Sequence, residues 1–112
     1  MIYRFYMDRD DTYKKDVLDS IHDIETYLGK MDCEGFLHDK KTQDSVIRRL
    51  QIIGEASKRL SAEFKASTPD IEWKAIAGTR DILIHDYGIV DLDAVWKIIT
   101  EDLPKLKSAL LK

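Results

Sequence analysis

From residue 13 onward the apolar side chains return every three or four positions. Tyr13, Val17, Ile21, Ile24 and Leu28 step by 4, 4, 3 and 4, which is one stripe on a helix from about residue 9 to 28. Val46, Leu50, Ile53, Ser57, Leu60 and Phe64 alternate steps of 4 and 3, with Ile47 widening the seam, on a helix from about 42 to 66. Leu92, Val95, Trp96, Ile99, Leu103, Leu106 and Leu110 mark a third over 92–111. Stripes of this period are buried by packing helix on helix. Five Gly and two Pro are too few to turn an all-β chain. The sequence therefore predicts an all-α fold, a small up-and-down helical bundle.

Local signals refine the elements. Asp8, Asp10 and Asp11 suit the positive end of the first helix, and Gly29 suits its stop. Residues 30–39 form a connection with a short helical turn around Gly35–His38, and Asp39 or Thr42 caps the next helix. Gly54 lies in mid-helix, where it costs roughly 1 kcal/mol against Ala unless another backbone crosses there. Pro69 breaks the chain after the second long helix. Residues 72–77 read as a short helix, and 80–86 as another beyond Gly78 and Thr79. Asp91 or Val90 precedes the last helix, which Pro104 must kink or restart after Asp102. Residues 1–7 read either as an ordered extension or as sequence before a start at Met7, with 8–112 as the single domain.

Composition narrows the function classes. Eighteen Lys and Arg against 21 Asp and Glu give a net charge of −3, so no global positive field marks a nucleic-acid binder. The charge is uneven. Residues 8–39 hold four basic and ten acidic groups, whereas 40–65 hold seven basic and three acidic. Arg48, Arg49, Lys58 and Arg59 therefore mark a local patch for phosphate, or else an ordinary solvated face. One cysteine, Cys33, excludes an internal disulfide and suits a reducing cytoplasm, and it reads as inert and partly buried. The apolar opening MIYRFYM is too short for a membrane span. No His pairs with carboxylates at metal spacing, so neither a metal nor another cofactor is expected.

The chemistry concentrates in RDILIHDY, residues 80–87. Asp81 and His85 are i and i+4 on a helix, where the carboxylate fixes the imidazole tautomer and favours its charged form. Arg80 and Tyr87 fall within ~20° of each other, but Arg80 and His85 are ~140° apart around the axis. For both to act on one phosphate, long side chains converge in a groove or two copies meet across a two-fold axis. An Arg with a near-neutral acid–base suits cleavage of RNA, whose 2′-OH supplies the nucleophile. By residue types alone, a structural Asp–His pair explains the same spacing.

The Arg-x4-His-x-Tyr pattern at 80–87 resembles the signature of the HepT family of HEPN-domain ribonuclease toxins. RDDTYKKDVLDSIHDIETYL, KTQDSVIRRLQIIGEASKRLS, IEWKAIAGTRDILIHDY and VDLDAVWKIITEDLPKLK resemble the family too, so the likeness covers about residues 8–107. It implies a HEPN-like homodimer with its active site in the groove between protomers. It implies a metal-independent endoribonuclease with Arg80 and His85 as the catalytic pair, supported by Asp81 and Tyr87. It further implies a partner, an MntA-type nucleotidyltransferase antitoxin, that moves AMP from ATP onto Tyr87. The added charge would repel RNA phosphate. The family often has an aromatic residue and then Gly after the tyrosine. Here Gly88, Ile89 and Val90 follow, a difference at the rim that leaves Arg80, His85 and Tyr87 in place.

Two other readings belong to different classes: a non-catalytic helical subunit presenting substrate to a nucleotidyltransferase, and a purely structural dimerising module. His22 and His38 read as solvated, and Trp73 and Trp96 as core. Glu55 is either buried against Arg48, Arg59 or Arg80, or an exposed helix carboxylate.

Overall fold

The computed structural model describes the backbone of residues 2–83 and 90–112, with side chains at 9–79 and 90–112. Seven α-helices and one π-helical turn make up the described secondary structure, with no strand among those residues. They are α1 (Ile2–Leu28), α2 (Cys33–Leu37), α3 (Lys40–Lys58), α4 (Ala62–Ala66), α5 (Trp73–Leu83), α6 (Leu92–Lys97) and α7 (Leu103–Leu110), the π turn joining α6 to α7.

The three apolar stripes meet in one core. Val17, Ile21 and Ile24 of α1, Val46, Leu50 and Ile53 of α3, and Leu103, Leu106 and Leu110 of α7 are buried there, with Phe36, Ile76 and Val95 between them. Helices α1 and α3 run antiparallel, since Asp10 meets Ser61 at one end and Asp23 meets Arg49 further along. Lys107 of α7 reaches Glu25 of α1 at 2.9 Å. Trp96 packs on Phe36 at 5.4 Å between ring centres. Trp73 meets Phe64 edge-on at 5.8 Å and donates its indole N–H to Thr68 at 2.8 Å. Both tryptophans thus serve packing, as the sequence reading expected.

The predicted boundaries hold where a cap fixes them. Gly29 has φ +53° and ends α1. The Asp32, Asp39 and Asp91 carboxylates accept the N–H of Gly35, Thr42 and Ala94, starting α2, α3 and α6. His22 and His38 are exposed and Cys33 is half-buried.

Four boundaries differ from expectation. Helix α1 begins at Ile2, so Asp8, Asp10 and Asp11 lie two turns inside it rather than at its positive end. Asp10 instead accepts both the N–H of Ser61 at 2.8 Å and its hydroxyl at 2.6 Å. That contact explains the second difference: the expected helix 42–66 is broken at Arg59–Ser61, where the Ser61 hydroxyl caps α4 through the Phe64 N–H. The side-chain period continues across the break, so Leu60 is still buried.

Third, Gly78 and Thr79 do not separate two helices. Helix α5 runs through them to Leu83, and the buried Thr79 hydroxyl donates to the Ile76 carbonyl at 2.8 Å. The expected helical stretch beyond Leu83 lies outside the described residues. Fourth, the chain between Lys97 and Pro104 widens into the π turn Ile98–Asp102. The Leu103 N–H donates to the Ile98 carbonyl, and Pro104 sits in the first turn of α7, where its missing N–H costs nothing.

Candidate functional site

The close helix crossing expected at Gly54 is present. A Cβ there would lie 3.2 Å from the Thr79 hydroxyl, 3.4 Å from the Ala77 carbonyl and 3.6 Å from the Ile76 carbonyl. The missing side chain of Gly54 lets the α5 backbone lie directly against α3. Arg80 and Asp81 follow Thr79 on the same helix, so this crossing fixes where the motif starts. His85 and Tyr87 lie outside the described residues, as do the side chains of Arg80 and Asp81.

On the outer face of α3, Arg48, Ile52, Glu55 and Arg59 follow one another at steps of 4, 3 and 4, within about 60° around the helix. Together with Gln51 and Ala56, and with Tyr13 and Asp16 of α1, they line a groove of about 450 Å³. The Arg59 guanidinium beside the Tyr13 hydroxyl holds the phenol below its ordinary pKa of 10.0. Partial burial opposes that effect, and the nearby Arg9 guanidinium adds to it. Glu55 is half-buried in the groove wall beside Arg48 and Arg59 rather than an exposed carboxylate.

The predicted basic patch is divided by the helical period. Arg48 and Arg59 share the groove, whereas Arg49 lies ~100° around the axis from Arg48. Arg49 faces α1 instead, 3.4 Å from Asp23, and the Tyr27 hydroxyl beside it raises its pKa against the opposing effect of burial. Lys58 is exposed and does not line the groove. The residues that sequence reasoning missed are Tyr13, Asp16 and Gln51. Tyr13 looked like the first member of a core stripe, and its pairing with Arg59 depends on the register between α1 and α3.

Among the described residues, no three His, Cys, Asp or Glu side chains gather to hold a metal ion. No described helix is long and apolar enough to cross a membrane.

Comparison with known proteins places this arrangement. Residues 17–112 match the family described as "Ribonuclease HepT-like". A protein of Thermococcus cleftensis named "Probable ribonuclease HepT" is 46% identical over 100 residues, covering 89% of this chain and 91% of that protein. A "Putative RNase" of Methanocaldococcus jannaschii is 40% identical over 92 residues, covering 82% of this chain and 84% of its own length. A longer protein of the same organism, named "Gamma-glutamylcyclotransferase and putative RNase", is 45% identical over 100 residues that make up 45% of its length. No solved structure matches. The family match spans the helices that build the core and the crossing that positions Arg80: this chain belongs to the HepT-like ribonuclease family.

Proposed function

We propose that the chain is the toxin of a toxin–antitoxin pair, an endoribonuclease working as a homodimer on RNA without a metal ion. The observation that carries this reading is the intact Arg80, His85 and Tyr87 set within a chain of the HepT-like ribonuclease family. In the reaction His85 takes the proton of a ribose 2′-OH, whose oxygen attacks the adjacent phosphorus. The P–O5′ bond breaks and the leaving oxygen is protonated, giving a 2′,3′-cyclic phosphate and a 5′-hydroxyl. Arg80 neutralises the charge that builds on the phosphoryl oxygens. Asp81, four residues before His85 in sequence, orients the imidazole.

On an ideal helix residues five apart stand ~140° apart, so in this reading Arg80 and His85 from two protomers facing across a dimer axis complete one site. The antitoxin is a nucleotidyltransferase. The Tyr87 hydroxyl attacks the α-phosphorus of ATP, pyrophosphate leaves, and the attached AMP places negative charge where RNA phosphate must sit.

Labelling by a cognate nucleotidyltransferase with ATP radiolabelled at the α-phosphate tests this reading. The wild type is expected to take up label and lose RNA cleavage together, and Tyr87→Phe to take up none and stay active. Label on the Phe variant would rule out Tyr87 as the acceptor. Labelled protein that still cleaves RNA would contradict the neutralisation step.

A further inference from the structure

The α1–α3 groove is chemically mixed in a way that a solvated helix face is not. Two exposed guanidiniums, Arg48 and Arg59, line it together with a half-buried aromatic ring, Tyr13, and two carboxylates, Asp16 and Glu55. A cavity of about 450 Å³ falls within the range of small-molecule sites, roughly 300–1,000 Å³. Its lining comes from α1 and α3, and in sequence its Glu55 follows Gly54, which faces Thr79 of α5. One wall of the groove thus begins one residue from the crossing that positions α5.

These groups match the parts of a nucleotide. Guanidiniums bind phosphate with fork geometry, an aromatic ring offers a stacking face to any base, and carboxylates accept hydrogen bonds from exocyclic base amines. We propose that this groove holds a nucleotide flanking the cleaved linkage, with Arg48 and Arg59 on its phosphate and Tyr13 against its base. The proposal rests on the ribonuclease reading above and adds to it a binding subsite outside the Arg80–His85 pair. It also accounts for the acidic net charge: phosphate contact depends on two guanidiniums at one groove rather than on a broad basic field.

The test uses the full-length protein and a 2′-O-methyl oligoribonucleotide of adenines and cytosines. This probe lacks the nucleophile and carries amines on every base. Affinity is measured by fluorescence anisotropy across a salt series, beside cleavage of the unmodified oligomer. Tyr13→Ala is expected to weaken binding roughly 5- to 100-fold, with Tyr13→Phe within about 3-fold of wild type, because stacking survives loss of the hydroxyl. The Arg48→Gln, Arg59→Gln double variant is expected to flatten the slope of log K against log salt by about 0.7, one single-strand phosphate. In cleavage, KM rises with these losses while kcat changes little. Lys105→Gln, on α7, serves as the charge-loss control.

Wild-type affinity and salt slope in both Tyr13→Ala and the double arginine variant would overturn the proposal. So would variants whose sedimentation shows a changed oligomeric state, because the groove would then be an interface between copies. If Tyr13→Ala loses its helical signal, the double arginine variant decides. Groove-dependent binding without cleavage would sustain the subsite and sink the ribonuclease reading. Cleavage with an unchanged KM in the variants would do the reverse.

Discussion

Filling Gly54 is the sharpest perturbation of this fold, because it acts on the contact that positions the motif helix. A methyl group at position 54 would meet the Thr79 hydroxyl at 3.2 Å and two carbonyl oxygens of α5 at 3.4 and 3.6 Å. None of these neighbours swings aside easily. The hydroxyl is tied to the Ile76 carbonyl at 2.8 Å, and the other two are backbone. Ala recovers roughly 1 kcal/mol of helix propensity over Gly, whereas overpacking a core typically costs about 1–3 kcal/mol. Gly54→Ala is therefore expected to lose ~0–2 kcal/mol, and Gly54→Val, with two further methyls and a poorer propensity, ~2–4 kcal/mol. Thr79→Ala removes the nearest clashing atom, so in the Gly54→Ala background it should be less harmful than alone, with a coupling of at least ~0.5 kcal/mol. Urea denaturation followed by circular dichroism of the four-member cycle measures this. RNA cleavage should fall with the shift of α5 even where the protein stays folded. Gly54→Val as stable and as active as wild type would refute the claim that a close α3–α5 contact sets the site.

Three further outcomes follow from named contacts. Asp10→Ala strips both hydrogen bonds from Ser61, and since bonds to a charged group are worth ~1.5–3 kcal/mol each, denaturation should show a loss of about 2–3 kcal/mol at this half-buried site. Asp10→Asn should fall between, and a loss under ~0.5 kcal/mol would mean the α3–α4 break stands without it. Tyr13 has a lowered folded-state pKa, so any stabilisation from it belongs to the phenolate: it is complete above the unfolded value and lost as pH falls through the lowered value, leaving none at neutral pH. Alkaline absorbance titration, taken as the difference from Tyr13→Phe, should give a midpoint below 10.0 that rises in Arg59→Gln; an unmoved midpoint would break the pairing. The Ser57 hydroxyl is fully buried with no hydrogen-bond partner among the described residues. Ser57→Ala should then be neutral or up to ~1 kcal/mol stabilising in denaturation, and a loss above ~1 kcal/mol would show that the hydroxyl has a partner outside them.

What the sequence revealed and what it hid divide along a physical line. The apolar stripes on α1, α3 and α7 were legible because burial imposes a helical period on the residues themselves. The Gly54 crossing was legible too, as a mid-helix glycine that needs a neighbour to explain it. The break at Arg59–Ser61 was not, because the heptad-like seam runs through it and the contact that makes it comes from Asp10, 51 residues away. The continuity of α5 through Gly78 and Thr79 was hidden for a related reason: a buried hydroxyl bonded to its own helix and packed on Gly54 overrides two weak helix formers. At the site, Arg80, His85 and Tyr87 stood out by spacing and family likeness. The groove did not, since grouping Arg48 with Arg49 by adjacency ignores the 100° turn that separates them. Which arginine meets Tyr13 is a matter of tertiary register.

The central claim is most directly tested by RNA cleavage in excess EDTA, comparing wild type with His85→Ala and identifying the product ends. Wild-type cleavage leaving a 2′,3′-cyclic phosphate, absent from the folded variant, is the predicted result. Equal cleavage by both proteins, or none by wild-type protein free of any group on Tyr87, would contradict it.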